Sequence, residues 1–193
     1  MKKKILVLLG NPDSDSFDGA LAEAYAKGAR EEGYEVEQLE MSKINFDPLL
    51  HHGYRVIQEL EPDLHKAQEL IKWCDHIVII FPTWWGSAPA IFKGFFDRTF
   101  LPGFAFKYRP NSKLWDKFLS GRSARIIITT GGPAWYYRLI IGAPGLMMMK
   151  KSILSFSGFK PICSTVVGDM RSLKEDKRLN WINKINKLGK SGN

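Results

Sequence analysis

The sequence predicts a three-layer α/β fold, in which helices cover both faces of a mostly parallel sheet. Five short apolar runs alternate with segments of helical period, the pattern of successive strand, helix and strand units. The first run, residues 4–9, is continuously apolar rather than alternating, as in strands that are buried on both faces. Parallel neighbours of this kind need right-handed crossover connections, which the intervening helices would supply.

The strands are predicted at residues 4–9, 36–41, 75–81, 125–130 and 160–166. Residues 75–81 form the most apolar run and are therefore expected near the centre of the sheet. Residues 42–61 and 101–121 contain no clear period and are expected to leave the sheet as irregular excursions, the second of them rich in aromatic residues.

The helices are predicted from Ser16 to a stop near Gly33, from Pro62 to about Trp73, at residues 90–100, from Pro144 or Gly145 to near Gly158, and at residues 172–188. Helical spacing directs one face of each toward the sheet. The inward residues of the third and last helices are expected to be Ile91, Phe95, Phe96 and Thr99, and Leu173, Leu179, Ile182 and Ile185.

Composition is that of an ordinary soluble globular protein, with 193 residues, 45% hydrophobic and 25% charged. This length fits a single domain over residues 1–193. No apolar run approaches the roughly 18 residues of a membrane span, and the apolar part of the start, Ile5 to Leu9, is too short for a signal peptide. We therefore expect a cytoplasmic protein. Cys74 and Cys163 stand alone and are expected to be small core residues.

The net charge of +8 is concentrated at the two ends of the chain. Lys2 to Lys4 contribute +3 and residues 171–190 contribute +5, so that residues 5–170 are neutral in total. Basic termini can attract nucleic acid or anionic lipid, but no nucleic-acid module is visible. The preferred interpretation is two solvated ends, with no field for a polyanion in the middle of the chain and no nucleic-acid partner.

Three chemically unusual loops follow predicted strands: Asn11 to Asp18, Pro82 to Ala88, and Gly131 to Tyr137. In open α/β sheets, ligands bind beyond the carboxyl ends of the strands. The coincidence of these loops at one edge is the strongest argument from the residues alone for a binding site.

The first loop leads into a helix and contains Ser14, Ser16 and two aspartates before Asp18. Free N–H groups and the helix dipole make such a place suitable for phosphate, although a simple serine or aspartate helix cap is the common alternative. The chain has neither a GxxxxGK[ST] loop nor a GxGxxG motif after the first strand, which disfavours nucleoside triphosphates and Rossmann dinucleotides.

The other two loops combine aromatic residues with glycines. Trp84 and Trp85 beside Gly86, and the Gly131–Gly132 pair, could provide flat walls and close backbone approach for an isoalloxazine ring. Tyr136 and Tyr137 could cover the other side of that ring. The alternatives are that the tryptophans cap the core and that the tyrosines only pack. The four histidines form no metal-binding pattern, and no GxSxG elbow is present.

Four segments carry a family resemblance: NPDSDSFDGALAEA, NFDP, FPTWWGSAPAIFKGFFDRTFLPGFAF, and TTGG followed by a tyrosine. Together they resemble the flavodoxin-like NAD(P)H:quinone oxidoreductases, the DT-diaphorase type and its shorter bacterial relatives, over residues 4 to about 166. The resemblance implies a flavodoxin-like five-stranded sheet in the order 2-1-3-4-5. It also implies a homodimer with the active site at the interface, and hydride transfer from NAD(P)H through FMN or FAD to a quinone.

Position by position, the resemblance assigns three groups of flavin contacts. They are the phosphate side, Asn11, Ser16, Phe17 and Asp18; the isoalloxazine wall, Pro82, Thr83, Trp84, Trp85 and Gly86; and the other polar edge, Thr130, Gly131 and Gly132. The family often has histidine and asparagine where this chain has Asn11 and Asp18. Its catalytic tyrosine matches Tyr137, with Tyr136 adjacent, but the family's histidine falls at Ala143.

The resulting hypothesis is a flavin-dependent NAD(P)H oxidoreductase that reduces quinones or similar aromatic acceptors. FMN is preferred and FAD remains possible; NADPH and NADH are both left open, with Arg138 a possible contact for an anionic group. Two other classes are kept. One is an FMN-binding electron carrier, and the other is an ancillary subunit of a membrane transport system, for which the basic C-terminal helix would be the docking surface.

Overall fold

The computed structural model describes residues 2–193 and contains a five-stranded parallel sheet with a separate two-stranded hairpin. The seven strands are β1 Lys4–Leu9, β2 Glu35–Glu40, β3 His76–Pro82, β4 Phe106–Tyr108, β5 Trp115–Lys117, β6 Ser123–Thr129 and β7 Ile162–Val167. The parallel sheet has the order β2-β1-β3-β6-β7. This is the 2-1-3-4-5 order that the resemblance implies, so the predicted flavodoxin-like fold is confirmed.

The helices are α1 Phe17–Glu31, α2 Pro62–Trp73, α3 Ala90–Thr99, α4 Ala134–Leu139, α5 Pro144–Met147 and α6 Glu175–Ser191. A π-helical segment, Met148–Ser155, continues directly from α5. Among residues 2–193, no helix is long and apolar enough to cross a membrane.

The core has two halves, because successive side chains of a strand point to opposite faces of the sheet. On one face, Val7 and Leu9 of β1 pack with Leu21 of α1 and Ile185 of α6. On the other face, Leu8 packs in a cluster that includes α2 and a row of phenylalanines from α3. The result is the three-layer arrangement that the strand and helix pattern predicts.

The basic C-terminal segment is part of this fold and is not a solvated end. The Asn186 amide donates to the Ala24 carbonyl oxygen at 3.2 Å, and Lys190 pairs with Glu31 at 2.9 Å. The Tyr25 hydroxyl donates to the Asn193 carbonyl oxygen at 3.2 Å. The expectation of a solvated C-terminal end is wrong because it rests on charge alone, whereas Ile182 and Ile185, two of the residues predicted to face inward, pack in the same cluster as α1.

Residues 42–61 and 101–121, the two segments predicted to leave the sheet, also have defined contacts. Arg98, 1% exposed, holds residues 47–61 against α3, since its guanidinium pairs with the Glu61 carboxylate at 2.9 Å and donates to the Glu59 carbonyl oxygen at 2.7 Å. The second excursion contains the antiparallel pair β4 and β5, which the sequence did not predict. Strands of three residues are too short to show an alternating period.

Several predicted details are wrong. Trp135 to Tyr137 lie in helix α4 rather than in a loop, and α6 begins at Glu175 rather than Ser172. Leu179 is 52% exposed. In α3 the fully buried residue near the start is Phe92, whereas Ile91 is half-buried. Cys74 is buried as expected, but Cys163 is exposed on the edge strand β7.

Candidate functional site

The three unusual loops meet at one edge of the sheet. Strands β1, β3 and β6 are neighbours, and their carboxyl ends lead into the three loops. The Gly10 N–H donates to the Ile80 carbonyl oxygen at 2.7 Å, and the Thr83 N–H donates to the Thr129 carbonyl oxygen at 2.8 Å. These bonds join the loops at their bases, which confirms that they share an edge.

Asn11 organises the first loop. Its amide nitrogen donates to Ser16 Oγ and to Asp18 Oδ2, both at 2.9 Å, and its oxygen accepts from the Asp13 N–H at 3.0 Å. Ser16 is the N-cap of α1, and its hydroxyl accepts from the Gly19 N–H at 3.3 Å. The N–H groups of Phe17 and Asp18 precede that bond in the first turn, where no helix carbonyl can accept from them. This turn is therefore able to bind an anion.

Asp18 is the unusual group of this loop. The residue is 3% exposed, and its Oδ1 is buried without a hydrogen-bond partner. Burial raises the pKa of the Asp18 carboxyl above its ordinary value, an effect that the hydrogen bonds it receives only partly oppose. Protonation of this carboxyl, which burial favours, would give it an O–H donor for a neighbouring phosphate.

Trp84, Trp85, Gly86 and Ser87 form a tight reverse turn, which we call the tryptophan turn. The N–H groups of Trp84 and Ser87 each donate to the carbonyl oxygen of the other, at 2.9 and 3.0 Å. The two central residues have positive φ, 52° at Trp85 and 77° at Gly86, as a type I′ turn requires. That conformation favours asparagine and glycine, so tryptophan at the first central position is a strained choice.

Neither indole of this turn packs in the core. Trp84 is 49% exposed and Trp85 is fully exposed. The alternative that the tryptophans cap the core is therefore wrong. A strained residue that presents its whole aromatic surface to solvent is typical of a ligand contact.

The third loop provides closely approaching backbone. The Thr130 N–H donates to the Val167 carbonyl oxygen at 2.9 Å, and the Asp169 N–H donates to that of Gly132 at 2.8 Å. A Cβ atom on Gly131 would lie 3.2 Å from Arg171 Nε, whereas a Cβ on Gly132 would meet nothing within 4 Å. Gly131 thus brings the backbone against an arginine, and Gly132 leaves open space in front of it.

Tyr136 and Tyr137 have different environments although they are adjacent. Tyr136 is 44% exposed and packs edge-to-face with Trp135. Tyr137 is buried; its hydroxyl donates to the Gly86 carbonyl oxygen at 3.3 Å and accepts from the Leu146 N–H at 3.2 Å. Burial raises the pKa of Tyr137. Its hydroxyl therefore joins the tryptophan turn to α5 rather than facing solvent.

The comparison with protein families identifies the architecture. The family described as having a flavodoxin-like fold matches residues 3–188. The chain belongs to this family.

Relatives with named activities align with most of the chain. The NAD(P)H dehydrogenase [quinone] 1 of Rattus norvegicus is 26% identical over 202 residues, covering 92% of this chain and 73% of its own length. The ribosyldihydronicotinamide dehydrogenase [quinone] of Mus musculus is 26% identical over 219 residues, covering 97% of this chain and 93% of its own length.

Solved flavodoxin-like structures superpose closely. An NAD(P)H:quinone oxidoreductase from Methanothermobacter marburgensis has a TM-score of 0.82 at 22% identity, with both chains fully covered. An FMN-dependent NADH-azoreductase from Bacillus anthracis, solved in complex with FMN, has a TM-score of 0.73 at 17% identity, covering 98% of each chain. At these identities the likeness establishes the shared fold.

Two arginines beside the site were missed in the sequence. The Arg178 guanidinium lies over the Phe17 ring, 5.1 Å from its centroid, and Arg171 packs on Gly131. Both were counted only as charges of the C-terminal segment. No local pattern marks them. Arg178 reaches Phe17 through the packing of α6 on α1, whereas Arg171 lies in the segment after β7, where the Met170 N–H donates to the Thr130 carbonyl oxygen at 3.1 Å.

Proposed function

We propose that this flavodoxin-like protein is a flavin-dependent NAD(P)H oxidoreductase that transfers hydride through a bound flavin to a quinone or a similar aromatic acceptor. The observation that carries the proposal is the tryptophan turn, which holds a fully exposed indole in a strained conformation at the same sheet edge as the first turn of α1. The names of the family relatives support the same activity.

The residues at the sheet edge fit a flavin. Phosphate would bind at the first turn of α1, with the Ser16 hydroxyl and the Asp18 carboxyl as neighbours. The ring would lie against the backbone of the tryptophan turn on one side. On the other side the open space in front of Gly132 lets the ring edge approach the backbone of Thr130 to Gly132. We propose the corresponding roles for the three groups of residues that the resemblance assigns: the phosphate side, the isoalloxazine wall and the other polar edge.

FMN is the proposed form of the flavin. The first turn of α1 can bind one phosphate, and the Bacillus anthracis neighbour was solved with FMN. FAD would require a further groove for its adenine, and its mass distinguishes it from FMN directly.

The bound flavin supplies the hydride chemistry, and the protein supplies position and charge. The tryptophan turn orients the ring and shields one side of it from water, while main-chain N–H groups stabilise negative charge on its polar edge. The Tyr137 hydroxyl holds the turn in place. The exposed Tyr136 hydroxyl is free to bind the acceptor, and Arg138, also exposed, can bind an anionic group of NADPH.

A homodimer with the site at its interface is proposed on the basis of exposed apolar residues next to the tryptophan turn. A partner surface would bury them and close the open side of the site. They belong to α4 and the residues that follow it: Trp135, Leu139, Ile140 and Ile141.

The first test is reconstitution of the purified protein with FMN and, separately, with FAD. We expect one of them to bind, to be reduced by NAD(P)H in stopped-flow mixing, and to be reoxidised by a benzoquinone. The absence of both flavin binding and NAD(P)H oxidation would refute the proposal. A flavin that binds but is not reduced by NAD(P)H would instead identify an electron carrier.

A further inference from the structure

The neutral total charge of residues 5–170 conceals two opposite halves. Residues 5–100 contain 8 basic and 16 acidic residues, whereas residues 101–170 contain 10 basic and 2 acidic residues. In the fold the first half supplies β1, β2 and β3, and the second supplies the hairpin, β6 and β7. The side of the molecule that carries β7 is therefore strongly basic, contrary to the expectation that the middle of the chain has no field for a polyanion.

Part of this charge surrounds a concavity of about 470 Å³, which we call the lysine pocket. Its walls are formed by Lys117 of β5, Lys150 and Lys151 of the π-helical segment, Lys160, and Ser155, Gly158, Phe159 and Ile162. No acidic residue lines it. Ile162 is the first residue of β7, so the pocket lies at the amino end of that strand, whereas the candidate flavin site lies at the carboxyl edge of the sheet.

The charges of the pocket are not neutralised within residues 2–193. None of the ion pairs among those residues includes one of the four lysines. The acidic residue of the hairpin, Asp116, pairs with Arg109 at 2.6 Å. Lys117 Nζ donates to the Ser155 carbonyl oxygen at 3.0 Å, which satisfies one of its three N–H donors.

A helix C-terminus is the simplest structural reason for lysines at this place. It carries a partial charge of about −0.5, which attracts cations in the last turn. Lys117 meets that need by its bond to Ser155. The other three lysines are more than the helix C-terminus needs. Two of them, Lys150 and Lys151, lie at least a turn before the end of the segment at Ser155. Helix capping therefore leaves most of the positive charge unexplained.

We propose that the lysine pocket binds the phosphate chain of a multivalent phosphate ligand, either a linear polyphosphate or a nucleoside triphosphate. Lysine ammonium groups bind phosphate oxygens as mobile point charges, and a chain of phosphates can contact several of them at once. The aromatic residue of the wall, Phe159, is buried and offers no face on which a base could stack. The phosphate chain, not a base, is the recognised part.

The test is calorimetric titration of the flavin-loaded full chain with tripolyphosphate and with ATP. The double variant Lys150→Gln/Lys151→Gln is compared with Lys184→Gln/Lys187→Gln, which removes the same charge from α6. We expect both ligands to bind the parent protein with similar affinity, and the pocket variant to bind roughly tenfold more weakly or worse, since each lost lysine removes a charge-assisted contact. The α6 variant should stay within about twofold of the parent by the same reasoning.

Four results would overturn the proposal: no binding to the parent protein, equal losses in the two double variants, displacement of the flavin by tripolyphosphate, or ATP binding far more tightly than tripolyphosphate. Flavin absorbance recorded for each sample shows that every variant is folded and loaded. Failure here leaves the proposed oxidoreductase activity untouched, because that activity belongs to the opposite edge of the sheet.

Discussion

The Tyr137 hydroxyl donates a hydrogen bond to the carbonyl oxygen of Gly86 at 3.3 Å, so that α4 is tied to the tryptophan turn. The same carbonyl oxygen accepts from the Gly145 N–H at 3.0 Å, and the Leu146 N–H donates to the Tyr137 oxygen. Helices α4 and α5, which are close together in sequence, thus both contact a turn that is remote from them in sequence. Where the resemblance assigns a proton-handling tyrosine, this chain has a buried tyrosine that positions the proposed flavin wall.

Replacing Tyr137 with phenylalanine separates these two roles. The variant loses both hydroxyl contacts, so we expect flavin to bind several-fold more weakly, about 1 kcal/mol, with the pH profile of turnover at saturating flavin unchanged. Fluorescence titration with FMN and turnover between pH 6 and 9 measure the two quantities. Tyr136→Phe is the matched control, and it should leave flavin affinity unchanged. A shifted pH profile in Tyr137→Phe, at unchanged flavin affinity, would show that Tyr137 handles a proton.

Trp85 is strained and fully exposed, so its removal should separate stability from function. Trp85→Asn introduces a residue suited to positive φ, and we expect it to raise the free energy of unfolding by about 0.5 kcal/mol or more while it weakens flavin retention. Trp85→Ala should also release flavin, without that gain in stability. Thermal melts and flavin content after gel filtration measure both effects.

Tyr108→Ala, at an exposed aromatic residue of the hairpin, is the control for general loss of aromatic surface. If flavin content and turnover were unchanged in both Trp85 variants, the indole would have no role in the site.

The parallel sheet and the location of the site could be predicted because they depend on local patterns. Continuous apolar runs mark the strands, and loops that follow strands must lie at the carboxyl edge. The orientation of Tyr137 could not be predicted, because it depends on α4, a six-residue helix without a clear period. The position of Arg178 depends on packing between the two ends of the chain, and that of Arg171 depends on the segment that follows β7. The flavin contacts and the single domain over residues 1–193 stay predictions.

The lysine pocket shows a different limit of sequence reasoning. A charge total over residues 5–170 averages two halves that the fold places on different sides of the molecule. The four lysines come from β5, the π-helical segment and the residues before β7, so only the tertiary structure brings them together.

Asp18 should make both stability and flavin binding depend on pH. Because its pKa is raised in the folded protein, the folded state binds more protons than the unfolded state above pH 3.8, and the stability contributed by this group is lost as pH rises through the folded pKa. Asp18→Asn removes the cost of a buried charge at neutral pH. We expect it to raise the melting temperature at pH 7 more than at pH 4, and to tighten flavin binding at pH 8.

Asp15→Asn, at an exposed position of the same loop, is the control and should change neither quantity by a comparable amount. An equal rise in melting temperature at pH 4 and pH 7 for Asp18→Asn would mean that the carboxyl is not the source of the effect.

Leu139, 76% exposed on α4, tests the proposed dimer. A partner that buries α4 would also bury this side chain, and a carboxylate there would cost several kcal/mol of association free energy, since an unpaired charge would be desolvated. We expect Leu139→Glu to be a folded monomer with much reduced turnover, while the parent protein is a dimer by light scattering. Leu179→Glu places the same charge on the exposed face of α6 and should remain dimeric and active. A parent protein that is monomeric at micromolar concentration, or a Leu139→Glu protein that remains dimeric and active, would remove α4 from the interface and leave the tryptophan turn to work within one chain.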